Sequence, residues 1–289
     1  MKKIVYFGTP EFSAYILEKL LQFCQTKKFI VQTVVTRADK PVGREQTVMQ
    51  SPVAMVAQKY GILALKPLKL DEQFLITNYP LLTADLFIVA SYGKIIPQSL
   101  LDIPRLGSIN VHPSLLPKYR GPAPILTPIL NGDKETGVTI MLMDAEMDHG
   151  PLLATSKISI SDQDNHQTLT TKLAQGSAPL LIETLVKFVG GRIKPKKQKH
   201  SQATFTKFTK KEDSYFDISS PPDPEVLERM IRAYYPWPVV WTRFRPSGSS
   251  GQARIVKFLP NNMLQMEGKK PISFKDFLNG YPDFPFKSI

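Results

Sequence analysis

Two side chains near the middle of the chain could do chemistry together. Asn110 offers an amide and His112 an imidazole, and residues two apart on an extended segment point the same way. Side by side at a strand end they make a hydrogen-bond donor plus a titratable base. The plainer alternative is a turn holding a histidine whose ring is merely satisfied. A second group follows at Asp144-Ala145-Glu146-Met147-Asp148-His149-Gly150. Its three carboxylates and one histidine invite a metal ion. They are packed too closely to converge without a loop, however, and the calcium-loop spacing is absent. The competing arrangement turns one carboxylate inward to His112 and leaves the rest solvated, with His149 on the surface.

The elements around these residues read as α/β. Residues 108–111 are β-branched and bounded by Gly107 and Pro113, which predicts a buried strand ending in a turn. Sites in open α/β sheets lie at the carboxyl ends of strands. Pro113, Pro117, Pro122 and Pro124 stiffen the loop that follows, because each ring fixes φ. Upstream, residues 2–7 predict a first strand. Thr9 is expected as the N-cap of a helix carrying Phe12, Ile16, Leu17, Leu20 and Leu21 at helical spacing. The opening is Rossmann-like, yet one glycine is not the Gly-x-Gly-x-x-Gly of a dinucleotide site. Further strands are expected at 30–36, 63–66, 85–91, 137–143 and 152–160. Helices are expected from Ser51 to Tyr60, over 124–130, and over 167–189 with a kink at Pro179. Between them, 37–50 is a long polar loop of the kind that is usually functional or disordered.

Length predicts two domains, and the composition is that of a soluble globular chain. The net charge is +12 and the pI about 9.6, which favours a polyanionic partner, nucleic acid rather than membrane. The single cysteine, Cys24, excludes an internal disulfide or a cysteine zinc cluster. No signal peptide or membrane span is evident, so a cytoplasmic protein is expected, and a monomer. Gly190-Gly191 marks a boundary. Beyond it Arg192, Lys194, Lys196, Lys197, Lys199, Lys207, Lys210 and Lys211 follow with no acid among them. Such a stretch is either a track for phosphates or a solvated tether. A helix is expected over 224–235. The 36 residues from 239 to 274 allow ~3–4 strands at typical lengths, with Trp237 and Trp241 filling the core.

The run Asn110-Val111-His112-Pro113-Ser114-Leu115-Leu116-Pro117-Lys118-Tyr119-Arg120-Gly121 resembles the signature of the folate-dependent formyltransferases. Gly8-Thr9-Pro10-Glu11-Phe12 resembles the branch of that family acting on methionyl-tRNA, as do Arg232-Ala233 and Pro236-Trp237-Pro238. The resemblance implies a catalytic set of Asn110, His112 and Asp148, the last from the pattern Met-Asp-x-Gly. Their separation, 148 − 112 = 36 residues, is one strand–helix–strand unit and would place them at neighbouring strand ends. It implies folate contacts at Ser114, Leu115, Leu116 and Pro117 and at Tyr92 and Gly93, with tRNA contacts at Arg44, Lys194, Lys196, Lys197 and Lys199. Where the family continues past Arg44 with glycine and lysines, this chain has Glu45-Gln46-Thr47. The implied fold is a Rossmann-like catalytic domain with a mostly parallel sheet over 1–190, a basic linker over 191–211, and a shortened OB-like barrel over 212–289.

The implied reaction moves a formyl group from 10-formyltetrahydrofolate to the amine of initiator methionyl-tRNA, with no metal. Asn110 and protonated His112 would donate to the oxyanion, and Asp148 would pair with His112 and help the proton move. Two alternatives stay open. One is formyl transfer to a nucleotide-linked amino sugar or another small amine, which the shortened second domain favours. The other is a non-catalytic RNA-binding protein, which an intact Asn110, His112 and Asp148 opposes.

Overall fold

The computed structural model describes residues 1–25, 28–42, 47–247 and 252–286. The chain opens with β1 (Lys2–Gly8), α1 (Glu11–Cys24), β2 (Phe29–Val35), β3 (Lys40–Val42), β4 (Thr47–Met49) and α2 (Pro52–Lys59). It continues through β5 (Ala64–Leu65), α3 (Glu72–Leu82), β6 (Leu86–Ala90), α4 (Gln98–Leu101), β7 (Ser108–His112) and α5 (Leu126–Asn131). Then come β8 (Glu135–Leu142), β9 (Leu152–Ser159), α6 (His166–Val189) and α7 (Pro224–Ala233). It ends with β10 (Val240–Phe244), β11 (Arg254–Leu259), β12 (Met263–Met266), β13 (Ile272–Ser273) and α8 (Phe274–Gly280). Two compact units result. One comprises Met1–Pro124, Thr136–Ile158 and Thr171–Thr206; the other comprises Ile125–Glu135, Ser159–Thr170 and Lys207–Ile289.

The first unit is built on a seven-stranded sheet in the order β5-β2-β1-β6-β7-β8-β9. The pairs from β5 to β7 are parallel, and β8 joins β7 antiparallel. Central parallel strands are covered on both faces and so read as unbroken apolar runs; every residue of β6 is buried. One core cluster joins Val5, Phe7, Val35, Phe87, Tyr92 and Leu100. The Phe7 ring centroid lies 5.1 Å from Phe87 and 5.6 Å from Tyr92, the latter edge-on. Truncating such a residue typically costs about 3–5 kcal/mol.

Several local expectations are corrected. Helix α1 is capped by Pro10, not Thr9, and the Thr9 hydroxyl instead donates to the Tyr92 carbonyl at 3.0 Å. Within the polar stretch 37–50, β3 pairs antiparallel with β4. Helix α3 was not expected, since Pro80 stands inside it and only Leu82 is buried. Ser51 caps α2 as anticipated, its Oγ accepting from the Ala54 N–H at 3.0 Å.

In the second unit, α7 precedes an antiparallel sheet in the order β10-β11-β12-β13. Four strands agree with the length available. The tryptophans do not fill its core: Trp237 is 62% exposed, and Trp241 packs on Tyr215 at 4.7 Å with Lys211 over its ring. Phenylalanines do so instead. Phe284 meets Phe244 and Phe277 at 5.0 Å and Phe286 at 5.5 Å, and Phe258 meets Phe216 at 5.2 Å. They come partly from α8 and the segment after it, which strand counting alone overlooked.

Candidate active site

Three side chains meet at β7. The Asn110 amide donates to Asp148 Oδ1 at 3.1 Å, and His112 Nδ1 stands 3.5 Å from the same oxygen. The other carboxylate oxygen, Oδ2, accepts the Gly121 backbone N–H at 2.8 Å. His112 is 4% exposed and Asn110 half-buried. The alternation along β7 puts both on one face, as spacing predicted. On its far side, His112 Nε2 lies 3.0 Å from the Tyr119 carbonyl. Both ring nitrogens therefore face oxygen acceptors.

Asp148 does not arrive at the neighbouring strand end that a strand–helix–strand unit predicts. Because β8 is antiparallel to β7, Leu142 pairs with Ile109 and Thr139 with His112. The carboxyl end of β8 thus lies beside the amino end of β7, not next to His112. The chain turns back after β8, with Met143 N–H bonded to the Ser108 carbonyl, and Asp148 reaches the ring from that return. Its φ is +50°. This left-handed conformation costs a non-glycine residue about 1 kcal/mol and persists only where surroundings impose it.

The other acids of this stretch go elsewhere. Asp144 Oδ2 accepts from His149 Nδ1 at 2.7 Å, and Glu146 Oε1 lies 3.9 Å from His149 Nε2. His149 is not a surface side chain: it is half-buried and stacks on His200 at 4.1 Å with an interplanar angle of 12°.

The loop after His112 is fixed by its own hydrogen bonds. Ser114 is fully buried and its hydroxyl donates to the Lys118 carbonyl at 2.6 Å. Thr139 Oγ1 donates to the Ser114 carbonyl at 2.6 Å and accepts the Leu116 N–H at 3.1 Å. Leu116 is buried, while Leu115 and Pro117 are half-buried. Leu115 packs tightly over Gly137, where an added Cβ would sit 2.5 Å from its Cδ2 and 2.2 Å from the Ser156 carbonyl oxygen.

Tyr92 is buried, its hydroxyl has no hydrogen-bond partner among the described residues, and burial pushes its phenol up to about 12. The next residue, Gly93, has φ +82° with open space where a side chain would stand. Ile95 is 89% exposed, and Lys94 clamps this segment by donating to the Pro67 and Leu68 carbonyls. Arg44 lies outside the described residues. Lys194, Lys196, Lys197 and Lys199 are exposed, and the Lys196 backbone pairs with Leu152.

Three contributors to the site were not singled out from sequence. Thr139 bridges the loop, Arg120 lies buried behind it, and Gln198 is buried among exposed lysines. The available signal for Gln198 was its type: an uncharged polar residue inside a basic run.

The formyl transferase family matches residues 2–185 of this chain. A methionyl-tRNA formyltransferase of Roseiflexus sp. (strain RS-1) is 41% identical over 243 residues, covering 84% of this chain and 73% of its own. One from Enterococcus faecalis (strain ATCC 700802 / V583) is 36% identical and covers 97% of this chain and 96% of its own. This chain belongs to the methionyl-tRNA formyltransferases. A solved structure shares the fold of the family at TM-score 0.60 and 18% identity, covering 92% of this chain and 95% of that one. It is an N-formyltransferase from Helicobacter canadensis in complex with folinic acid and dTDP-3-aminofucose. Among the described residues, no helix is long and apolar enough to cross a membrane.

Proposed function

We propose that the protein transfers the formyl group of 10-formyltetrahydrofolate to the α-amine of initiator methionyl-tRNA, with Asn110, His112 and Asp148 as its catalytic set. The observation that carries this reading is the meeting of an amide, an imidazole and a carboxylate at Asp148 Oδ1, within 3.1 and 3.5 Å. The amine attacks the formyl carbon and forms the new C–N bond. Negative charge gathers on the formyl oxygen, then the bond to the folate nitrogen breaks and that nitrogen takes up the proton the amine gives up. Asn110 has a second amide hydrogen for the developing oxyanion, and the His112 imidazolium adds positive charge beside it. A single such donor is typically worth ~10²–10³ in rate. Asp148 holds the ring and the amide and relays the amine's proton.

The open space at Gly93, exposed Ile95, and half-buried Leu115 and Pro117 offer apolar surface against which the flat faces of a folate ring can pack. Ser114 and Leu116, buried within the loop, shape this wall from behind. In this reading residues 1–190 are the catalytic domain, 191–211 a basic linker and 212–289 a tRNA-binding domain. Arg44, Lys194, Lys196, Lys197 and Lys199 contact tRNA phosphates, and the protein works as a cytoplasmic monomer.

The test is one assay with purified protein and 10-formyltetrahydrofolate. Charged initiator tRNA is offered in one arm and free or nucleotide-linked amino sugars in the other. Formylation of the methionyl-tRNA is expected. Turnover of an amino sugar alone would replace the acceptor in this reading.

A further inference from the structure

The carboxylate of Asp148 is only half of what holds that residue. Its backbone carbonyl accepts from Gln198 Nε2 at 2.9 Å, and the same nitrogen donates to the Gly150 carbonyl at 2.8 Å. Gln198 Oε1 accepts from Arg120 Nη2 at 2.7 Å. Gln198 and Arg120 are 5% and 4% exposed. The orientation of the amide is unambiguous, because guanidinium only donates and carbonyls only accept. Arg120 is fixed in turn: its backbone N–H donates to the Thr204 carbonyl, and its carbonyl accepts the Thr206 N–H. Its Nη2 also meets His200 Nδ1 at 2.9 Å, and its guanidinium lies over the Phe205 ring. The residue after it is Gly121, whose N–H holds Asp148 Oδ2. The hydrogen bonds therefore close a ring from the Asp148 carboxylate through Gly121, Arg120 and Gln198 to the Asp148 carbonyl.

Gln198 suits this place as no charged neighbour could. It must donate to two carbonyls at one end and accept from a guanidinium at the other. A lysine has no acceptor, and a carboxylate would set oxygen against two carbonyl oxygens. The turn it spans contains a residue at φ +50°, which needs outside support. Pairing of Lys196 with Leu152 through reciprocal backbone bonds of 2.7 and 2.9 Å delivers Gln198 to the turn.

We propose that Gln198, held by Arg120, is a positioning residue for formyl transfer: it fixes the Asp148 turn so that the carboxylate meets Asn110 and His112. This rests on the assignment of Asp148 to the catalytic set. Displacing a catalytic group by about 1 Å can cost ~10²-fold in rate.

The experiment measures steady-state formylation of methionyl-tRNA by the full chain carrying Gln198→Met, which conserves volume, and Gln198→Ala. Each is made also in an Asp148→Asn background, with Gln73→Ala, an exposed glutamine on α3, as the control. We expect kcat to fall about 10- to 100-fold for both Gln198 variants, with KM for tRNA and for folate changed less than about threefold. In the Asp148→Asn background the same changes should add nothing, since the group they position is already gone. An unchanged kcat with a raised KM for tRNA would overturn the proposal and make Gln198 part of the tRNA track. A full additive loss in the double variants, or a fall in Tm alone, would overturn it as well. If Asp148→Asn by itself keeps wild-type kcat, the catalytic assignment fails instead, and the two failures are told apart.

Discussion

Asp85 and Asp148 are both largely buried carboxylates in the same unit, each fed by a backbone N–H, yet they sit at opposite ends of the parallel strands. Asp85, just ahead of β6, accepts from Lys3 N–H at 2.9 Å, from Lys2 Nζ at 3.2 Å and from Arg105 Nη2 at 2.6 Å. The backbone bond, then the two cations, hold its carboxyl down at about 2 against the cost of burial. Among the described residues, no lysine or arginine stands against Asp148. Its partners are a neutral amide, a backbone N–H and an imidazole. Fixed cations on both sides lock a charge and make a structural anchor. Neutral donors and an imidazole leave the Asp148 carboxylate without a fixed counter-charge among the described residues, which suits the proposed role in formyl transfer.

The contrast breaks first, and by the largest margin, at Asp148. His112→Ala and Asp148→Asn should each lower kcat by ~10²–10⁴-fold, while Tm moves little and folate binding by equilibrium titration survives. A variant keeping more than half the wild-type rate would leave that residue outside the reaction.

Asp85→Asn should do the reverse, leaving kcat alone and costing stability. The folded pKa, about 2, lies below the ordinary 3.8. The stabilisation is thus fully present above pH ~4 and lost as pH falls through about 2. Denaturant titrations should show the variant about 1–2 kcal/mol less stable at pH 7, with the gap closing toward pH 2. A gap independent of pH would mean that packing, not charge, is what Asp85 supplies.

The smallest effect per residue belongs to the exposed lysines. Replacing Lys194, Lys196, Lys197 and Lys199 by glutamine should flatten the log–log salt dependence of tRNA affinity by about 0.7–0.9 for each phosphate contact removed. An unchanged slope would make the run a solvated tether.

What the sequence revealed and what it hid follow from range. Asn110 and His112 sit on one strand, so period-2 alternation placed them together without knowledge of the fold. The cap at Ser51 is equally local. The identity of Asp148 was legible through its motif, but its path was not, because strand direction is set by pairing between distant residues. Gln198 stayed hidden for the same reason: it touches Asp148 across 50 positions. The phenylalanine core of the second unit was missed because no element was expected beyond residue 274, where α8 and the segment after it supply Phe277, Phe284 and Phe286.

The doubling back of the chain after β8 makes the segment from Leu142 to Asp148 a measuring tape. Its length is 148 − 142 = 6 residues. It must cover three steps of strand register, from the Ile109 pair to the His112 pair, about 10 Å at a typical rise. Six residues fully extended reach ~20 Å. The surplus is consumed by a turn in which Glu146 N–H bonds to Asp144 Oδ1. Side chains at 145 and 147 are exposed. The number of residues matters even so: one more or one fewer keeps the reach but re-forms the turn that aims the carboxylate. The length of this segment is therefore set by the turn it must form rather than by the distance it must cover.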